Sequence, residues 1–175
     1  MRKHISKKGK RELPSPAYGK TAVRIVVASS VGIIILLNLF SHVFSVVRYY
    51  GNGMEPSLQD RQILVIHKTA QIEEGNIIAY YFNNKVLVRR IICEGGKSIA
   101  IDETGAVQIN GKPLDEPYVE EFSLGQCNIT FPYTVSVGQY FVMGDNRSIA
   151  MDSRLSEIGP VSADRILGKI IYIIG

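Results

Sequence analysis

The sequence predicts a mainly β protein, with one N-terminal transmembrane helix followed by an antiparallel β-sheet body that carries a small cap insertion. Three observations carry this reading. A run of 23 residues without formal charge, Ile25–Val47 (IVVASSVGIIILLNLFSHVFSVV), stands near the N-terminus. The residues after it fall into short apolar runs separated by turn residues and charges. None of those later runs sustains a 3.6-residue apolar period.

Charge divides the chain before any motif does. Residues 1–24 carry eight Lys/Arg against the single acid Glu12, whereas residues 25–175 hold 12 basic and 15 acidic residues. The sequence pI of 9.1 therefore describes the tail rather than the body. A basic tail alone fits nucleic acid, but the apolar run behind it gives a simpler role: setting topology and touching anionic lipid. No nucleic-acid partner is expected.

As a helix, Ile25–Val47 spans roughly 34 Å, enough for a hydrocarbon core of about 30 Å. Its serines can bond back to their own helix, and Asn38 can bond a neighbouring one. His42 falls near the outer end, within reach of the interface. The basic flank lies before the run and only Arg48 directly after it. The positive-inside rule then predicts a single-pass membrane protein, N-terminus cytoplasmic and body outside. A cleaved signal peptide would have a shorter apolar core and small residues at a cleavage site, and SVVRYYG offers none. The expected organisation is a cytoplasmic tail over 1–24, a transmembrane helix over 25–47 and an extracytoplasmic body over 48–175.

In the body, Gln62–Ile66, Ile77–Phe82, Val86–Cys93 and Lys169–Ile174 read as strands. Asn83-Asn84 predicts a hairpin turn, and so does Asn110-Gly111 after the AVQI run of Ala106–Ile109. Residues near 103–135 are acidic and turn-rich, and they read as the cap. Cys93 and Cys127 make no disulfide framework, and neither has a metal-ligand companion at a usual spacing.

Three stretches stand out chemically. They are GMEPSL (Gly53–Leu58), VRRIICEGGKSI (Val88–Ile99) and GDNRSIAMDSR (Gly144–Arg154). The last follows an apolar YFVM strand, and its polar groups must be paired to be tolerated. A purely structural turn would pair Asp145 and Asp152 with Arg147 and Arg154.

In this order, and behind a membrane anchor, the three stretches resemble the motifs of type I signal peptidases (peptidase S26). Within that family they resemble the catalytically inactive staphylococcal form. The runs Asn110–Tyr118 (NGKPLDEPY) and Gly159–Ile170 (GPVSADRILGKI) resemble the family as well. The resemblance implies a β-rich fold with its active face toward the bilayer. It also implies a serine protease with a Ser/Lys dyad and no metal or other cofactor, acting on signal peptides of exported proteins.

Carried over residue by residue, the resemblance puts the nucleophile's position at Gly53 and the general-base lysine's at Arg89. The hydroxyl that orients the lysine falls at Ala150. Met54, Pro56, Arg90, Gly144, Asp145, Asn146, Arg147, Asp152, Ser153 and Arg154 keep the family motif. Ser57 stands where threonine is usual. Cys93, Glu94, Gly95 and Lys97 depart from Gly, Leu, Pro and Asp, and Asn76 replaces an Asp.

Acyl transfer by this route needs an attacking atom and a base. Glycine supplies no attacking atom, and a guanidinium stays protonated where a buried lysine can become neutral. The expectation is a catalytically inactive homologue without catalytic residues. It would keep the backbone N–H of Gly53 and a groove for extended peptides. Its partners would be the lipid bilayer and either signal peptides or an active paralogue. Two alternatives stay open at this point. One is a working protease with a relocated nucleophile, Ser57 or Cys93, served by Lys68 or Lys97. The other is a membrane scaffold that binds no signal peptide.

Overall fold

The computed structural model of the protein describes residues 18–175. The part of the basic tail over residues 1–17 lies outside the described residues. The chain divides into two units after Phe40.

Helix α1 covers Tyr18–Val43. Its Thr21–Val43 stretch, 23 residues with a mean hydropathy of 2.3, is long and apolar enough to cross a membrane. The serines behave as their chemistry demands. The Ser29 and Ser30 hydroxyls donate to the Val26 carbonyl at 2.9 and 2.7 Å. The helix begins and ends earlier than the apolar run. Residues 44–47, expected as its last turn, belong instead to strand β1 (Phe44–Arg48). FSVVR is rich in β-branched and aromatic residues, and it pairs along its whole length with β2 (Ile63–His67), from Phe44↔His67 to Arg48↔Ile63.

The remaining large-sheet strands are β3 (Ile77–Phe82), β4 (Lys85–Glu94), β9 (Gln139–Met143), β10 (Val161–Ser162) and β11 (Ile166–Ile174). They form an antiparallel sheet in the order β1-β2-β11-β3-β4-β9-β10. A smaller antiparallel sheet, ordered β7-β6-β5-β8, takes in β5 (Ser98–Ile101), β6 (Val107–Ile109), β7 (Lys112–Pro113) and β8 (Tyr133–Thr134). It occupies the expected cap region but begins at Ser98, before residue 103. Its SIAI run follows a turn at Gly96, whose φ of +90° suits glycine.

Both predicted hairpins form. Asn83 and Asn84 sit at φ +45° and +60°, and Asn110 and Gly111 at +50° and +76°. Paired positive φ values are what a two-residue hairpin with the right twist needs.

The runs IIAYYF and VLVRRIIC read as continuously apolar because the large sheet buries side chains on both faces. Leu64, Ile66, Ala79 and Val88 pack with Met54 and Leu58 of the loop after β1. Ile78, Tyr80, Ile91 and Val142 form a second cluster. Ile92, Cys93 and Phe141 pack against Ile99, Val107 and Val135, so the two sheets share a core.

The two edges of β4 are paired unequally. β4 pairs with β3 from Lys85 to Arg90, but β9 joins its other edge only from Arg90 onward. Among the described residues, the Lys85–Arg89 half of that edge has no strand beside it.

Candidate functional site

The loop Tyr49–Asp60 is pinned at its base. The Tyr49 N–H donates to Gln62 O at 2.8 Å, and the Arg61 N–H to Tyr49 O at 2.9 Å. Gly51, at φ +107°, turns the chain and donates its N–H to Asp60 Oδ1 at 2.8 Å. Met54 and Leu58 then insert fully into the core, linked by Leu58 N–H to Met54 O at 2.8 Å. The Tyr49 hydroxyl accepts the Met54 N–H at 3.1 Å. Burial pushes the Tyr49 phenol above its usual 10.0, against the pull of Arg89, so it stays a neutral acceptor. Gly53 is thereby buried, while Pro56 is left at the surface.

Arg89 approaches Gly53 from β4. A Cβ built on Gly53 would lie 3.4 Å from Nη2 of Arg89 and 3.5 Å from its Cζ and Nη1. The guanidinium is anchored by Nε donating to Met151 O at 2.9 Å and Nη1 donating to Val88 O at 2.6 Å. Arg89 is only 7% exposed. Among the described residues no carboxylate pairs with it.

Ala150 completes the cluster. Gly53 O accepts the Asn146 N–H at 3.2 Å, and Asn146 O accepts the Ala150 N–H at 3.1 Å. Gly144 has no room for a side chain, because its Cβ would run into Ala150 Cβ and Gly53 O. Glycine at 144 is thus a requirement of close approach. The structure brings Gly53, Arg89 and Ala150 together around one point. Beside it opens a groove of about 430 Å³, walled by Tyr49, Gly53, Leu87, Arg89, Ile149 and Met151 among others.

The GDNR and DSR residues hold this arrangement from behind, through pairings that differ in part from the local ones expected. Asp152 and Arg154 do pair, with Nε–Oδ1 and Nη2–Oδ2 both 2.8 Å. Asp145 and Arg147 do not pair with each other. Asp145 takes Arg90 from β4 in a two-pronged bond, 2.8 and 2.6 Å. Arg147 reaches Glu116, with Nη2–Oε1 at 2.5 Å and Nη1–Oε2 at 3.2 Å. The Arg147 Nε is already held by Gly144 O at 3.0 Å, which directs the guanidinium away from Asp145. The side chains of Arg147, Glu116, Asp152 and Arg154 are all fully buried. Asp152 Oδ2 also accepts the Gly144 N–H at 3.0 Å. The Ser153 hydroxyl accepts the Val142 N–H and donates to Gly159 O, tying the DSR turn to β9.

Glu116 is the residue that sequence reasoning missed. A partial signal existed. Arg90, Arg147 and Arg154 outnumber Asp145 and Asp152, which points to a further carboxylate but not to which one, since Glu120, Glu121 and Glu157 lie nearer Arg147 in sequence.

The other nucleophile candidates are placed differently. The Ser57 hydroxyl accepts from Arg90 Nη2 at 3.1 Å, a permanent cation that takes no proton. Lys68 Nζ donates to Ser41 O at 2.9 Å, and Lys97 Nζ pairs with Glu74 at 2.8 Å, so neither amine is bonded to Ser57 or Cys93. Cys93 is fully buried, and desolvation pushes its thiol up to about 11. It is unpaired, as is Cys127. Among the described residues no group of three or more His, Cys, Asp or Glu could hold a metal ion.

Comparison with known proteins adds a decisive observation. The family model described as "Signal peptidase, peptidase S26" matches residues 22–174. The chain belongs to the signal peptidase family, peptidase S26. It is 25% identical to signal peptidase IB of Staphylococcus aureus over 173 residues, 87% of this chain and 89% of that relative. It is 32% identical to signal peptidase I T of Bacillus subtilis over 137 residues, 70% of this chain and 69% of that relative. A signal peptidase I from Enterococcus faecalis V583 is similar at 27% identity, with a TM-score of 0.48, covering 58% of this chain and 98% of that one. With its N-terminal apolar helix, the chain is a membrane-anchored member of the signal peptidase family.

Proposed function

We propose that this chain is a catalytically inactive signal peptidase homologue that holds extended peptides without cutting them. The observation that carries the reading is the contact at Gly53. Where the family's mechanism requires a hydroxyl against a neutral amine, a backbone stands against a guanidinium, with Nη2 3.4 Å from the site of the missing Cβ. Nothing there can attack a carbonyl, and Arg89 cannot accept a proton. Ala150 supplies a methyl group in place of the third, orienting hydroxyl.

The binding half of the activity is intact on this reading. The buried ion pairs behind the site keep the loop, β4 and the GDNR turn in place. The unpaired half of the β4 edge offers backbone groups to an added strand, the usual way a sheet takes up an extended peptide, with Val88 O there already accepting Arg89 Nη1. The partners would be signal peptides of exported proteins, or an active paralogue bound through the same body. The tail's charge puts the N-terminus in the cytoplasm and the body outside.

The test is incubation of the purified full chain, freed of host peptidase, with a preprotein. The expected result is an intact preprotein. Cleavage at the signal site would overturn the reading. Photocrosslinking from a probe near Gly53 to a nascent signal peptide separates peptide holding from a scaffold role, which predicts no such adduct.

A further inference from the structure

The groove beside Gly53 carries an unbalanced charge. Its walls include Arg48, Lys85 and Arg89 and no Asp or Glu. Arg89 matters most because it is 7% exposed and its bonded acceptors, the Met151 and Val88 carbonyls, are neutral. Its Nη2 has no acceptor among the described residues, although it lies against Gly53. The Gly53 N–H has none either. By contrast, Arg90, Arg147 and Arg154 each have a carboxylate of their own. A guanidinium this little exposed and without a counter-ion makes a strong charge-assisted bond to a carboxylate arriving beside it.

The strand pairing says which carboxylate fits. A peptide added along the open Lys85–Arg89 edge of β4 has nowhere to continue as a strand, because β9 occupies that edge from Arg90 onward, opposite Met143. An added strand must therefore stop or turn away at Arg89. A C-terminus satisfies the stop and the charge together when the peptide runs parallel to β4, from Lys85 towards Arg89; an antiparallel strand would bring its N-terminus there.

We infer that the groove selects extended apolar peptides ending in a free α-carboxylate, which pairs with Arg89 Nη2 and the Gly53 N–H. This rests on the peptide-holding reading above and narrows it. The preferred ligand is the upstream fragment that an endopeptidase leaves after a cut, not the intact precursor. The chain then acts after a cleavage reaction and consumes no substrate of its own.

The experiment is fluorescence anisotropy with the full chain in detergent micelles. The probes are N-terminally fluorescein-labelled Leu-Val-Ala-Val-Ala as free acid, the same peptide as C-terminal amide, and Leu-Val-Ala-Val-Glu as amide. The free acid is expected to bind on the order of tenfold more tightly than either amide. Arg89→Gln should remove that preference, and Arg89→Lys should keep part of it. Equal binding of acid and amide to the unaltered chain would overturn the inference while leaving peptide holding in place. Equal binding of the acid and the Glu amide would overturn recognition of a chain end. Failure of all the probes to bind would overturn the inference and peptide holding together. The comparison on the unaltered chain decides the matter even where an Arg89 variant does not fold.

Discussion

Replacing Glu116 with alanine tests how the site is held. In the folded chain, Glu116 neutralises Arg147 across the cap, with both side chains fully buried. Removing the carboxylate leaves the guanidinium with its Nε bond to Gly144 O and no counter-ion. It also strips the Tyr118 hydroxyl of its acceptor, 3.0 Å away. Breaking one side of a buried pair costs about 3–5 kcal/mol. For a chain of this size that lowers the melting temperature by about 6–20 °C. The double variant Glu116→Ala with Arg147→Met removes the stranded charge, so it should be more stable than Glu116→Ala alone. Thermal unfolding of the full chain in detergent, followed by circular dichroism, measures both. A single variant within about 1 kcal/mol of the parent would refute the reasoning. So would a double variant whose loss equals the sum of the two single losses.

Other consequences come from the same geometry. Gly144→Ala should destabilise the chain by about 1–3 kcal/mol in urea unfolding, because its Cβ would press on Ala150 and the Gly53 carbonyl. Cys93 should resist iodoacetamide at about pH 8 in the folded chain, since the reacting form is the thiolate. Its thiol is raised from 9.0 to about 11 by burial first and the Glu74 carboxylate second. An unfolded Cys93 would ionise first as pH rises, so this group's contribution to stability is whole below about pH 9 and is lost towards about pH 11. Cys93→Val should flatten that part of the stability–pH curve.

Much of the fold is legible because short apolar runs and paired asparagines are local signals. The hairpin at Asn83-Asn84 needs only its own dihedrals. β1 was hidden because FSVVR continues the apolar run of α1 without a break in composition. Whether Phe44–Arg48 coils or extends depends on β2, which lies beyond the next loop. The ion pairs were illegible for the same reason. Arg147 and Glu116 lie 31 residues apart, and Arg90 and Asp145 lie 55 apart. Spacing within a motif favours Asp145 with Arg147, whereas the folded turn commits Arg147 Nε to Gly144. At the site, the motifs marked Gly53, Arg89 and Ala150 singly. Their meeting at one point, and the charge Arg89 leaves unbalanced there, come from the packing of the loop, β4 and the GDNR turn.

The central claim is that the peptide groove stands while its chemistry is absent. The most direct measurement is restoration: Gly53→Ser, Arg89→Lys and Ala150→Ser in one full chain, incubated with a preprotein beside the unaltered chain. A lysine at position 89 inherits a nearly buried site, where desolvation favours its neutral form. The account predicts cleavage at the signal site by the restored chain and none by the unaltered one. Cleavage by the unaltered chain, or a folded restored chain that leaves the preprotein intact, would contradict it.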